Sequence, residues 1–344
     1  MSGPPEGWGA PAAGPPDGAG RVALLGAGLC CPLGSLGETI EALRAGRRVA
    51  GVRGGAFNGE PGDPGAPGLR EDPAGRGRPT ARAFPRELPE SPKFRRMRKY
   101  MSGQSLLAAV ASRAALEAAD IGRLGFPMER VGLFAGVGLA SVDHLAGAEI
   151  LSASLDAGGA FDPERFSAGG LGSLNPLWAF ESLANMPACI VSVLEGVKGE
   201  SAVYAPHEDA GMQALCEAAE ALDFGLVDLA LVLATDSPHA PSNLAELTLL
   251  GHLGDDDVAS EAAAALVLAR PGDAGDKSAP ILGNFQTSRV AGPAGGDPLA
   301  PLLGRTMTAA PLILVVLSAL CPGLGLPRTI TGSLGRRLSF EAPG

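Results

Sequence analysis

Residues 198–211 have the order of an enzyme's nucleophile turn without the nucleophile. A β-rich run at 201–205 leads into Pro206, and a helix-like pattern begins near Asp209. A side chain at such a strand-to-helix junction lies at a helix N-terminus, where free N–H groups and the helix dipole favour an anion. A cysteine there would be an activated nucleophile, whereas this chain has Glu208.

Glu208 has two interpretations. If it is buried, its carboxyl group would have a raised pKa and could act as a general acid or base. If backbone N–H groups hold it at the helix end, it would stay ionised and be structural, which is the interpretation we favour. His207 and Asp209 flank it, but three consecutive residues rarely converge on one ion and no HExxH pattern is present. We therefore expect no metal site.

Composition excludes several classes of function. The 344 residues can form one large or two ordinary domains, with a core mainly of Ala, Leu and Val because aromatics are only 4%. A net charge of −10 argues against a nucleic-acid partner. The basic run at 93–99 fits the solvated first turn of a helix. The most apolar run, 311–321, is too short to span a bilayer, so we expect no membrane partner.

Cysteine usage and the N-terminal residues predict a cytoplasmic protein. The five cysteines are odd in number and have no CxxC spacing, which favours buried thiols in a reducing compartment. Cys189 lies in an apolar run, so we expect it to be buried rather than nucleophilic. No secretory signal pattern is seen. The pair Gly26 and Gly28 lacks the third glycine of a dinucleotide loop, so we expect no cofactor.

Alternating apolar and helical patterns predict an α/β layered fold. Residues 1–20 should be a disordered tail, and 51–92 a long loop rich in Gly and Pro. Short apolar runs predict buried strands from Arg21 onward and at 131–137, 188–196, 201–205, 228–236, 262–270 and 281–286, with a terminal strand-like piece. Helical spacing predicts helices at 37–47, within 93–121, at 175–186, from Asp209 to near Gly225, and at about 298–321.

The order of these segments resembles that of β-ketoacyl synthases of the thiolase fold. The opening RVALLGAGLCCPLGSLGETIEALRAG is similar to that family's first strand, Pro-Leu-Gly turn and first helix. The most specific similarity is NPLWAFESLANMPACIVSVLEGVKGESAVYA, which leads to the active-site turn. The resemblance implies an α/β, thiolase-like layered αβαβα fold, with a nearly complete N-terminal half at 21–272 and a truncated C-terminal half at 273–344.

The same resemblance implies that the catalytic residues are missing. The family needs a cysteine to carry the acyl chain and two histidines to stabilise an oxyanion. The cysteine position falls on Glu208, and GRTMTAAPLI places Arg305 where the family reads Gly-His. The loop carrying the other histidine has no counterpart, because the segment from 286 to 301 is too short for it. In the family geometry Glu208 and Arg305 could form a salt bridge in place of a catalytic pair.

This pattern resembles the non-catalytic chain-length-factor subunits of type II polyketide systems, which pair with an active ketosynthase. It implies a heterodimer with a catalytic ketosynthase, a transient acyl carrier protein partner and a role in polyketide or fatty-acid-type chain assembly. The basic run at 93–99 is a candidate docking patch. Trp178 and Phe180 fit an interface or a core equally well. The implied interface candidates are Asn175, Pro176, Trp178, Phe180, Asn185, Met186 and Pro187.

Two other interpretations stay open. Glu208 could support a different reaction, such as hydrolysis or decarboxylation of a thioester. The chain could also fold poorly, because its second half has lost elements that normally cover the sheet.

Overall fold

The computed structural model of the chain describes residues 20–53, 79–85, 88–139, 144–173, 177, 180, 183–205, 209–274, 279–289, 297–331 and 336–341. The predicted N-terminal tail, most of the predicted 51–92 loop and most of the helix predicted at 175–186 lie outside these residues. Glu208 and three interface candidates, Asn175, Pro176 and Trp178, lie outside them as well.

Most strands join one large mixed sheet. The strands of the described residues are β1 (Val22–Cys31), β2 (Gly34–Ser35), β3 (Val52–Arg53), β4 (Pro79–Ala81), β5 (Val131–Val137), β6 (Ser201–Tyr204), β7 (Leu229–Asp236), β8 (Ala259–Ser260), β9 (Ala262–Ala269), β10 (Ile281–Arg289), β11 (Thr329–Thr331) and β12 (Arg336–Glu341). In the described residues this sheet has nine strands in the order β11-β12-β10-β1-β9-β7-β5-β6, with β2 beside β1. Strands β5, β6 and β7 are parallel, and β9 runs antiparallel to β1 and β7. A small second sheet has the order β3-β4-β8.

Helices cover both faces of the sheet. They are α1 (Leu36–Arg44), α2 (Pro92–Met97), α3 (Gly103–Ala119), α4 (Ile121–Leu124), α5 (His144–Ala153), α6 (Pro163–Arg165), α7 (Leu171–Ser173), α8 (Met186–Glu195), α9 (Ala210–Asp223), α10 (Pro241–Leu249), α11 (Ala300–Leu303) and α12 (Ala310–Leu320). Short 3-10 turns lie at Arg98–Tyr100, Met128–Arg130, Pro271–Asp273, Met307–Ala309 and Pro322–Leu324, and a π-helical turn at Phe166–Gly170. Helices α3 and α8 pack on one face, and α9 and α12 on the other.

The interior strands have an apolar residue on each face. Within β7, Leu231 and Leu233 belong to the core beneath α3, whereas Val232 and Ala234 belong to the core beneath α9 and α12. All residues of β7 and of β9 are buried. A strand covered on both faces reads as a continuous apolar run, so the predictions at 228–236 and 262–270 are confirmed. The predicted α/β layering is confirmed with them.

The glycines of the first strand make room for a helix. A Cβ atom on Gly26 would lie 2.5 Å from the backbone nitrogen of Ala119, and one on Gly28 would overlap the carbonyl oxygen of Ala111. Both glycines lie inside β1 and beneath α3. Their role is close packing of helix on strand, which explains the pair without a dinucleotide loop.

The strand predicted at 188–196 is wrong, because this segment is helix α8. The β-branched Ile190 and Val191 favoured a strand in the sequence. The buried residues of the segment instead follow helical spacing, and Gly196 ends the helix with φ 75°. Cys189 consequently lies exposed on the outer face of α8, so the prediction that it is buried is also wrong.

Two further predictions need correction. The single helix predicted at 298–321 is broken into α11 and α12 by Gly304, with φ 74°, and Met307, with φ 45°. The loop predicted at 51–92 contains the short strands β3 and β4. No helix within the described ranges is both long and apolar enough to cross a bilayer.

Candidate functional site

The carboxyl ends of β5, β6 and β7 lie at one edge of the sheet, because these three strands are parallel. Ligand and catalytic sites of open α/β sheets lie at such edges. The chain from Ala205 to Asp209 connects the end of β6 to the start of α9. Residues 206–208, including Glu208, lie in that connection and outside the described residues. The candidate site is therefore described by the residues that surround this connection.

Glycines bring three segments together here. A Cβ atom on Gly136, in β5, would lie 2.6 Å from the backbone of Ala210 at the start of α9. A Cβ atom on Gly211 would overlap the carbonyl oxygen of Thr308. The first turn of α9 is thus packed against β5 and against the segment that carries Arg305.

Two buried carboxyl groups lie beside this junction. Asp209, at the N-cap of α9, is 1% exposed, and Asp236, at the end of β7, is 4% exposed. The backbone N–H of Thr308 donates to Asp236 Oδ2 at 3.3 Å. A negative charge at the N-cap of α9 is favoured by the helix dipole. The junction is acidic even without Glu208.

Arg305 is held by backbone and side-chain hydrogen bonds. Its N–H donates to the carbonyl of Val258 at 2.7 Å, and its carbonyl accepts from the N–H of Ser260 at 3.0 Å. One guanidinium nitrogen donates to the carbonyl of His252 at 3.0 Å. A guanidinium stays protonated in proteins, so it cannot exchange a proton as an imidazole does. The salt bridge predicted between Arg305 and Glu208 stays a prediction.

The segment that carries Arg305 has an unusual backbone. Gly304 has φ 74°, and a Cβ atom there would overlap the hydroxyl of Ser260. Met307 has φ 45°, which is uncommon for a residue with a side chain. Such conformations persist only where surrounding contacts determine them, so the position of Arg305 is strongly constrained.

A buried charged network beside this segment was missed by sequence reasoning. The carboxylate of Glu261 accepts hydrogen bonds from the hydroxyl of Ser237, at 2.7 Å, and from the N–H of Ala83, at 3.1 Å. His239 Nδ1 lies 3.1 Å from Glu261 Oε1 and 3.3 Å from Arg82 Nε. These contacts join the chain after β4, the end of β7 and the start of β9.

The protonation state of His239 decides which contact it makes. Its Nε2–H donates to the carbonyl of Ala259 at 3.2 Å. Neutral His239 would accept from Arg82 through Nδ1, whereas protonated His239 would donate to Glu261 instead. Burial raises the pKa of Glu261, but the hydrogen bond and charge of His239, then the charge of Arg82, outweigh it and hold the pKa below its usual value. With His239 protonated, Glu261 is a carboxylate.

The residues of this network are far apart in the sequence, so local patterns do not reveal it. Arg82 is 157 residues from His239, and Ala83 is 178 residues from Glu261. The only local signal was a charged residue, Glu261, directly before the apolar run of β9. In the sequence alone His239 is isolated, and no local pattern indicates its contacts with Arg82 and Glu261.

The two cysteines at the end of β1, Cys30 and Cys31, are poorly suited to replace the nucleophile. Burial, followed by the charges of Cys31, Glu261 and Glu38, raises the pKa of Cys30 to about 12. Burial also raises the pKa of Cys31. A thiol with a raised pKa has little of the thiolate that attacks a thioester.

The described interface candidates lie around the start of α8. Phe180 is 40% exposed and packs edge-on against Tyr100, with ring centroids 5.7 Å apart. Asn185 is exposed, Met186 is half-buried and Pro187 is buried. Phe180 and Asn185 are therefore accessible on the surface, while Pro187 packs inside the chain.

The basic run forms α2 and the turn that follows it. Phe94 is buried against α8, and Lys93 Nζ donates to the carbonyl of Leu194 at the end of that helix, at 3.2 Å. The side chains of Arg95 and Arg96 are exposed. A cavity of about 540 Å³ here is lined by Lys93, Arg95, Arg96, Met97, Lys99, Tyr100 and Val193. We name this cavity the basic groove.

Comparison with solved structures shows the same fold. A type II polyketide synthase acyl carrier protein in complex with its ketosynthase bound to the hexaketide matches with TM-score 0.67 and 16% identity, covering 94% of this chain and 100% of that one. The ishigamide ketosynthase/chain length factor matches with TM-score 0.55 and 17% identity, covering 90% and 75%. A β-ketoacyl synthase from Burkholderia phymatum matches with TM-score 0.57 and 21% identity, covering 78% and 64%. The predicted thiolase-like fold is confirmed.

Comparison of sequences places the chain in a family. No curated protein matches significantly. The model of the β-ketoacyl synthase N-terminal domain matches residues 20–272, which is more than half of the chain. The chain therefore belongs to the β-ketoacyl synthase family.

Proposed function

We propose that this protein is a non-catalytic ketosynthase-like subunit of the chain-length-factor type, which pairs with an active β-ketoacyl synthase in polyketide or fatty-acid-type chain assembly. The observation that carries the proposal is the pair of side chains at the matched catalytic positions. Glu208 stands in place of the cysteine and Arg305 in place of a histidine. A carboxylate and a guanidinium cannot carry out the acyl transfer for which a thiolate and an imidazole are suited.

The contacts of Arg305 support a structural role at its position. Its backbone bonds to Val258 and Ser260 and its guanidinium bonds to His252. An imidazole at this position could keep the two backbone bonds but would lack the guanidinium that bonds to His252. The residue is thus part of the packing that holds the segment against β8.

Pairing through the sheet is supported by its open edge. Among the described residues β6 hydrogen-bonds only to β5, so its other side can accept a strand from a partner. Val203 in this strand is 38% exposed. The ishigamide ketosynthase/chain length factor has the same fold, and its name describes the kind of pair that we propose.

A transient acyl carrier protein is the second proposed partner, and the basic groove is its proposed docking site. Carrier proteins are acidic, and the groove has exposed arginines at 95 and 96 on a chain of net charge −10. Lys99 Nζ lies 4.9 Å from the centre of the Tyr100 ring, which leaves apolar and basic groups side by side. The five free thiols fit the cytoplasmic setting that we propose for such a complex.

Reconstitution tests the function. The chain is co-expressed with a catalytic ketosynthase of a type II polyketide system, and co-purification and product formation with the carrier protein are measured. We expect a stable complex, no turnover by either this chain alone or its Glu208→Ala variant, and full activity of the complex that contains Glu208→Ala. Loss of activity in the complex with Glu208→Ala would overturn the non-catalytic assignment.

Docking is tested in the same complex. Arg95→Glu with Arg96→Glu should weaken carrier binding by at least about tenfold, because charge steers such encounters. The matched control is Arg47→Glu with Arg48→Glu, an exposed pair outside the groove. Equal binding of the carrier protein by both double variants would exclude the basic groove as its docking site.

A further inference from the structure

The side chains around the open edge of β6 indicate which partner strand it accepts. Ser201 and Val203 are exposed, and Ala202 and Tyr204 are half-buried beneath α9. Helix α9 packs over this strand. A partner strand added to β6 would therefore meet the side chains that α9 and the start of β6 present at the edge.

Those side chains are acidic. Glu200 directly precedes β6, and Glu217 and Glu220 lie one turn apart on α9. Burial and then the charges of Glu217, Glu220 and Glu200 raise the pKa of Tyr204 to about 12. Because α9 packs over β6, Glu217 and Glu220 on that helix lie near the strand that Glu200 precedes. We name Glu200, Glu217 and Glu220 the acidic rim.

Neighbouring charges do not neutralise the acidic rim. Lys198 is the nearest base in sequence, and its Nζ is paired with Glu129 Oε1 at 2.9 Å. Burial, then Glu217 and Asp223, raises the pKa of Glu220. The local charge is negative in the described residues around the edge.

Symmetry determines what this charge does in self-association. A two-fold pair formed through β6 would place each surface patch against its own copy. The acidic rim would then face a second acidic rim across the junction. Like charges opposed across an interface disfavour that pairing, and opposite charges favour it.

We propose that the acidic rim selects a partner whose own edge strand is flanked by Lys or Arg, and that it disfavours pairing of this chain with a second copy of itself. The inference rests on the proposed function for the identity of the β6 edge as the pairing surface. It adds the chemistry of the partner and the reason for a heterodimer over a homodimer.

A charge swap within this chain tests the selection without the natural partner. The basic-rim variant is Glu200→Lys with Glu217→Lys and Glu220→Lys. Sedimentation equilibrium is measured at low salt for the wild type, the variant and their equimolar mixture. We expect the mixture to associate at least about tenfold more tightly than either protein alone, and salt to weaken it. Self-association of the wild type as tight as that of the mixture, or no association in the mixture, would overturn the proposal.

Two further variants keep the test decisive. Neutralising the rim with Glu200→Gln, Glu217→Gln and Glu220→Gln should increase self-association even if the lysine variant does not fold. The control changes the exposed Glu149, Glu164 and Glu246 to Gln, which alters net charge equally elsewhere. Equal self-association of the two glutamine variants would contradict a role for the rim. These measurements use only this chain, so they stand apart from the reconstitution result with a ketosynthase.

Discussion

The interior of the sheet and the edge at the carboxyl ends of β5, β6 and β7 differ in the side chains that they carry. All residues of β7 and β9 are buried, and both faces of these strands are covered by helices. At the edge, Gly136 and Gly211 pack closely against neighbouring backbone, as Gly26 and Gly28 do beneath α3. At the positions that the family resemblance assigns to the catalytic residues, the chain has Glu208 and Arg305. On the function that we propose, the packing of the fold is kept without the family's reactive groups.

The largest effect should come from breaking the charged network beside the edge. Glu261→Ala removes the carboxylate that pairs with His239, Ser237 and the backbone of Ala83. Leaving those groups buried without it should cost about 3–5 kcal/mol of unfolding free energy. Urea denaturation measures the change, and the exposed Glu246→Ala is the control, expected within about 0.5 kcal/mol. A similar small change in both variants would show that the network is not structural.

Close packing at the edge should give the next largest effect. Gly211→Ala adds a Cβ atom where the carbonyl oxygen of Thr308 lies, so backbone must move and we expect a loss of about 1–3 kcal/mol. Gly103→Ala is the matched control, because a Cβ atom on Gly103 meets nothing within 4 Å. If the two variants were equally stable by thermal unfolding, the edge would be looser than the core.

Acid should lower the stability that the network around Glu261 contributes to the fold. The pKa of Glu261 is lower in the folded chain than its ordinary value of about 4.3. Its stabilising effect is therefore complete above that ordinary value and is lost as pH falls through the folded pKa. Denaturation curves from pH 7 to pH 3 should show a steeper loss for the wild type than for Glu261→Gln. Parallel curves would mean that Glu261 does not contribute to the acid sensitivity.

The smallest effect should follow Arg305→His. This change introduces the histidine that the family resemblance implies at this position. It should give no condensing activity, because Glu208 would still stand where the resemblance implies the cysteine. Condensing activity is measured as turnover of a carrier-bound thioester. Condensing activity in this single variant would indicate that the site lacks only one group.

The sequence predicted the interior better than the edge for a physical reason. Continuous apolar runs such as the one in β9 determine their own burial, so these strands could be located from local pattern. The run around Ile190 was misread, since β-branched residues favour strands while the Pro and Gly at its ends favour a helix. The break between α11 and α12 depends on the backbone of Gly304 and Met307, which an apolar pattern does not show.

The site was predictable only in part. Arg305 could be placed from the glycine that precedes it and the helix that follows. The His239 and Glu261 pair could not, because His239 follows β7, Glu261 lies between β8 and β9, and Arg82, which contacts His239, comes from a third segment. The acidic rim depends on α9 lying over β6, so the grouping of Glu200 with Glu217 needed the structure.

The central claim is tested most directly by intact-mass measurement of the purified chain after incubation with acyl and malonyl thioesters of the carrier protein. The Cys189→Ser variant is measured in parallel, since Cys189 is exposed and could react without an active site. The account predicts an unchanged mass for Cys189→Ser and no condensation product from either protein. Stable acylation of Cys189→Ser, or formation of a condensed product by the isolated chain, would contradict it.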